Sequence, residues 1–183
     1  MQPKLAQRLD ALSKAFSAGN IYDIKKIAND SINDATISFD HDMAKIAVIA
    51  YALYKMLTKE HFVQNPKWKE VAASITISLQ KSTQAALQGK HRSFKRNLKD
   101  TIQKIENIDD KLSHFAKNIY EKAKMKQAST AYALGLSLSQ AAELTGAAKK
   151  ELQHYIGETR IHDEEPTTTG IKKRIIALKE ITK

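Results

Sequence analysis

The densest chemistry in the chain is a ten-residue run, KHRSFKRNLK, in which Lys90, Arg92, Lys95, Arg96 and Lys99 crowd together with Phe94 among them. Ammonium and guanidinium groups at this density are suited above all to neutralising phosphates. On a helix, Arg92, Lys95, Arg96 and Lys99 share one face through i+3 and i+4 spacing. The run therefore predicts a helix laid along a phosphate backbone. A solvated face is the commoner fate of a charge run, but here no acidic residue precedes Asp100 to relieve the repulsion. Such contacts carry affinity and no sequence preference. A second set, Lys149, Lys150, Gln153 and His154, has groups that read bases. Lys reaches guanine acceptors, Gln pairs with adenine, and either can hold phosphate instead.

Catalytic groupings are not evident. Asp40-His41-Asp42 has the residue types of a metal site, but adjacent residues at a helix start point in different directions. No His/Glu pair at i, i+4 supports them, so helix capping is the better account. His91, His114 and His162 are isolated, and His61 follows Glu60 at a helix end, where it suits the carbonyl dipole. Cysteine is absent, which excludes disulfides, thiolate metal sites and cysteine nucleophiles and fits a reducing compartment. Neither GxGxxG nor GxxxxGK[ST] occurs. The expectation is a protein that is not an enzyme and uses no metal or cofactor.

With 183 residues the chain can form one compact domain or two small ones, and its formal net charge of +10 favours a polyanionic partner. The excess is local: residues 1–80 carry +2, residues 81–126 carry +7 and residues 127–183 carry +1. The N-terminus has no unbroken apolar run of the secretory kind. The longest apolar stretch, Met43–Leu57, is interrupted by Lys45 and Lys55 and is shorter than the roughly 20 residues that span a bilayer. A soluble, cytoplasmic and nucleoid-associated protein without a membrane partner is expected.

The elements that position these residues read as helices. Leu5, Leu9, Leu12 and Phe16 mark a first helix stopped by Gly19, and Ile24, Ile27, Ala28 and Ile32 a second over Tyr22–Ile32. The segment NDSINDATISFDHD favours turns and caps, with ATISF as the only, and weak, strand candidate. Asp40 or Asp42 would cap a central helix to Leu57. Asn65-Pro66 opens a helix to about Leu87, with Trp68, Val71, Ala72, Ile75 and Leu79 as its stripe and Gly89 as its stop. Helical pattern continues from Lys90 to about Gln127, with a break at 107–110 and a stripe of Leu112, Phe115, Ile119 and Ala123. The fold class is thus all-α. Residues 1–128 form a helical bundle containing the basic helix at 90–99, and residues 129–183 form a second unit.

That second unit contains GLSLSQAAELTGAAKKELQHYIG. Ser137 and Gln140 make a capping box for a helix over Leu138–Thr145, which Gly146 ends in the left-handed conformation. A second helix spans about Ala148–Ile156, ended by Gly157. Ala142, Gly146, Leu152 and Tyr155 supply the small crossing residue, the turn and the inner apolar face of a helix pair. Residues 136–157 resemble the helix-turn-helix of prokaryotic, including archaeal, DNA-binding regulators. They are also similar to small antitoxin families with an SL..AAEL.G core. The turn Gly146-Ala147-Ala148 departs from the family pattern, in which a serine or threonine caps the second helix. The resemblance implies that Lys149, Lys150, Gln153 and His154 face the major groove. Beyond Pro166, Ile171, Ile175, Leu178 and Ile181 mark a C-terminal helix that would dock back on the chain or form a homodimer.

The expected function is duplex DNA binding by a transcriptional regulator or nucleoid-associated protein. Two alternatives stand beside it: an RNA-binding or ribosome-associated protein, and an antitoxin-like or adaptor module that grips a protein partner.

Overall fold

Helix-forming residues with almost no polar interruption end up at the centre. The computed structural model describes residues 3–107 and 119–158, which are all-α with no strand among them. The helices are α1 (Pro3–Ser17), α2 (Ile21–Ser38), α3 (His41–Leu57), α4 (Glu60–Val63), α5 (Trp68–Leu87), α6 (His91–Glu106), α7 (Ile119–Ala133), α8 (Leu138–Thr145) and α9 (Lys149–Glu158). Along α3, Met43, Ile46, Ile49, Leu53 and Met56 are fully buried, and so are the alanines between them. This helix packs mostly against α2 and α7, while α5 packs between α1 and α6 as its main partners. Asp40 starts α3 as expected, its Oδ1 accepting from the backbone N–H groups of Asp42 (2.9 Å) and Met43 (3.1 Å).

Two expectations need correction. The second helix does not stop at Ile32, and the Asn/Asp/Ser-rich segment is not a set of turns, because α2 continues to Ser38. Burial outweighs propensity here: Ser31, Ile32 and Ala35 pack inward against α3. The aspartates find partners on α1, where Arg8 bridges Asp30 and Asp34 and Lys4 reaches Asp34. The helix finally ends on Phe39, a non-glycine residue at φ 51, whose N–H donates to the Ala35 carbonyl. Likewise Asn65-Pro66 is not the first turn of α5. Residues 65–67 form a separate turn, with the Trp68 N–H on the Asn65 carbonyl (2.9 Å) and the Lys67 N–H on Asn65 Oδ1 (3.0 Å).

One cluster of buried side chains runs from Leu5 to Leu152. It takes in Ala141, Ala142 and Leu144 of α8 and Leu152 of α9, which pack on α7, with α8 also reaching α3. The boundary expected near residue 128 falls inside α7. The break near 109, the stripe residues Leu112 and Phe115, and the C-terminal helix around 171–181 lie outside the described residues. No helix among those described is long and apolar enough to cross a membrane.

Candidate nucleic-acid interface

The basic run forms α6, whose two faces are sharply divided. Phe94, Leu98, Thr101 and Ile105 are at most 1% exposed and face α5 and α7. Phe94 is therefore a core residue and not part of the basic surface. Arg92, Lys95, Arg96 and Lys99 are exposed and fall within an arc of about 100°, opposite the buried edge. Among the described residues none of the four makes an ion pair. Lys90 is exposed at the helix entrance instead, where its backbone follows Gly89 at φ +66 and its N–H donates to the Ala85 carbonyl (2.9 Å).

The basic charge is greatest where a helix tolerates it least. The first turn of α6 carries no acid and no side-chain cap, and Lys90 and Arg92 stand at the positive end of the helix dipole. Backbone N–H groups and cations converge there, an arrangement suited to an anion. A different set of groups fixes α6 in place. Lys104 Nζ donates to Asp100 Oδ2 (2.8 Å), Ser78 Oγ (2.6 Å) and the Ser74 carbonyl (3.2 Å), and the Ser78 hydroxyl donates to Asp100. Hydrogen bonds from Lys104 and Ser78 hold the Asp100 carboxyl below its ordinary value, against a smaller opposing effect of burial. Lys104 and Asp100 are thus tied to α5, leaving the four outer cations available.

At the other candidate site, α8 and α9 are joined by residues 146–148. The Ser137–Gln140 capping box forms as expected, with the Gln140 N–H on Ser137 Oγ (3.2 Å) and the Ser137 N–H on Gln140 Oε1 (3.0 Å). Gly146 adopts φ 72, ψ 24, and the Ala147 N–H reaches back to the Ala142 carbonyl (3.0 Å). The left-handed geometry is one that a Cβ would strain, which accounts for glycine at this turn. Helix α9 starts at Lys149 with no side-chain cap before it, and it does not end at Gly157 but runs to Glu158. Leu152 is buried, Tyr155 and Ile156 are half-buried, and Lys149, Lys150, Gln153 and His154 are exposed. The two basic sets are not brought into one patch: α6 packs on α5 and α7, α9 on α7 and α8, and they share no extended interface of their own.

A third basic feature escaped the sequence reading. Between α3, α7 and α9 lies a cleft of about 430 Å³ with Lys55, Lys59, Lys122 and Lys126 around it. Tyr51 and Tyr155 line it too, and burial first, then the neighbouring Tyr54, pushes the Tyr51 hydroxyl up to about 12. Its sequence signal was two lysine pairs at i, i+4, Lys55/Lys59 and Lys122/Lys126, far apart in the chain. Among the described residues there is no cluster of three or more His, Cys, Asp or Glu side chains that could hold a metal ion. Set against known proteins, the chain matches no family model, no curated protein and no solved structure.

Proposed function

We propose that the protein binds duplex DNA as a transcriptional regulator or nucleoid-associated protein, with α8 and α9 acting as a helix-turn-helix and α6 holding the phosphate backbone. The observation that carries this reading is the division of α9. Leu152 anchors its inner side while Lys149, Lys150, Gln153 and His154 point away from the core. A recognition helix needs that division, an apolar side that fixes its angle and a polar side that reaches base edges. The cations of α6, which make no ion pair among the described residues, add the sequence-independent part of the affinity.

The test is a salt series of binding to mixed duplex DNA and to structured RNA, read by fluorescence anisotropy. Each neutralised phosphate contributes about 0.9 to the slope of log affinity against log salt, so Arg92→Ala/Lys95→Ala/Arg96→Ala should lower the slope by about 2.7. Lys149→Ala/Lys150→Ala should lower it by up to about 1.8 and also reduce any preference among sequences. Flat, weak binding to duplex would overturn the proposal. Preference for RNA would turn it toward the ribosome-associated reading, and a stoichiometric protein in place of nucleic acid on purification toward the adaptor reading.

A further inference from the structure

The cleft between α3, α7 and α9 gathers four lysines, with no acid among the described residues that line it. Lys55 lies in the last turn of α3 and Lys59 beyond its end, just before α4, while Lys122 and Lys126 lie one turn apart on α7. No carboxylate among the described residues lines the cleft. The nearest acid on α7, Glu121, is bonded to Lys124, which is not one of the four. None of the four makes an ion pair among the described residues, and Lys55, Lys59 and Lys126 are half-buried. Like charges around a walled cleft raise one another's free energy, and low-dielectric walls focus their field on whatever enters. An anion with several charges relieves that cost.

The rest of the lining is not phosphate-like in its preference. Ile119 and Met125 give it apolar surface, and Tyr51 and Tyr155 give it aromatic rings. Tyrosine also holds part of the cationic rim in place, since Lys55 Nζ lies 5.5 Å from the Tyr51 ring centroid and 5.6 Å from that of Tyr54. Burial and the nearby Tyr51 raise the Tyr155 hydroxyl above its ordinary value, with Lys55 opposing them, so both rings stay neutral beside the lysines. A volume of about 430 Å³ lies in the range of small-molecule sites. The ligand that matches a cationic rim over an aromatic and apolar wall has a flat ring at one end and two or more phosphates at the other.

We infer that the cleft formed by Lys55, Lys59, Lys122, Lys126, Tyr51 and Tyr155 is a binding site for a nucleoside polyphosphate. The site is separate from the basic faces of α6 and α9, and it does not depend on their binding DNA.

Isothermal titration of the full chain with ATP, tripolyphosphate, adenosine and a short single-stranded oligonucleotide tests this. ATP should bind more tightly than tripolyphosphate, and adenosine should bind weakest. Lys55→Gln/Lys126→Gln should weaken ATP by roughly tenfold or more, the loss expected for contacts to a charged group. Lys122→Gln, at an exposed position, gives a second reading of the rim without disturbing the core, and thermal melts check that each variant folds. Tyr155→Leu should weaken ATP and leave tripolyphosphate unchanged. Arg92→Gln/Lys95→Gln on α6 should leave both unchanged. An oligonucleotide that displaces ATP and binds more tightly would assign the ligand to a strand and overturn the free-nucleotide assignment. Absence of ATP binding at millimolar concentration, equal affinity for ATP and tripolyphosphate, or equal losses in the α6 variant would overturn the site itself.

Discussion

Truncating Leu152 to alanine separates the attachment of α9 from the stability of the rest. Leu152 is fully buried and is the only side chain of α9 in the buried cluster, while Tyr155 and Ile156 lie half-exposed beside it. The change removes three carbons, about 2.4 kcal/mol of transfer free energy at roughly 0.8 per methylene, before any cavity term. A ten-residue helix is not stable on its own, so α9 persists only while docked. Undocking is a local opening at the edge of the molecule, and the loss should raise its frequency about fiftyfold, since every 1.4 kcal/mol is tenfold. Native-state hydrogen exchange should therefore show fast exchange confined to α9, with α3 and α5 still protected. Leu53→Ala, fully buried in α3, provides the contrast. It should lower the urea midpoint for the whole chain by the equivalent of about 2–5 kcal/mol. Local undocking of α9 is refuted if Leu152→Ala lowers the global midpoint as far as Leu53→Ala does while α9 stays as protected as α3.

Two further outcomes follow from local geometry. Gly146→Ala should destabilise by about 1–2 kcal/mol because its φ of +72 strains any Cβ, even in open space. Gly157→Ala, inside α9 with nothing within 4 Å, should instead stabilise by about 0.5–1 kcal/mol, and thermal melts of the pair measure both signs. Burial raises the Asp34 carboxyl, but hydrogen bonds and charge from Lys4 and Arg8 outweigh this and hold it below 3.8, as Lys104 and Ser78 do for Asp100. A lowered carboxyl stabilises the fold above its unfolded value, and that contribution is lost as pH falls through the folded value. Asp34→Asn/Asp100→Asn should therefore be less stable than the parent at neutral pH and converge with it in acid. Denaturation midpoints falling in parallel across that range would refute the assignment.

What could be read in the chain beforehand depended on whether the cause was local. Gly19, Gly89 and Gly146 mark helix ends legibly because all three adopt positive φ, a property of one residue and its neighbours. The same holds for the Asp40 cap and the Ser137–Gln140 box. The extension of α2 was not legible, because what favours it is burial against α3 and the charges of Lys4 and Arg8, residues far away in the chain. Phe94 was ambiguous for a related reason. In KHRSFKRNLK an aromatic among cations suits a nucleic-acid surface as well as a core, and only the packing of α6 on α5 and α7 decides for the core. The exposed positions of α9 followed from its periodicity, with Leu152 inward and Lys149, Lys150, Gln153 and His154 outward. The lysine cleft depends wholly on the tertiary arrangement, since its walls come from three helices.

The arrangement of α1 bears on how the chain assembles. Its more extensive packing is against α5, not against α2, its neighbour in sequence. The pairs α2–α3 and α5–α6 are antiparallel hairpins of adjacent helices, and contacts of that short range close quickly. The seam between α1 and α5 has to wait until the intervening residues 18–67 and α5 itself have been made. During synthesis the apolar stripe of Leu5, Leu9, Leu12 and Phe16 emerges before α5 and is fully covered only after it. The ion pairs from Lys4 and Arg8 to Asp30 and Asp34 are available as soon as α2 forms. They give α1 a provisional berth, so that the last large apolar seam closes between parts already held near each other.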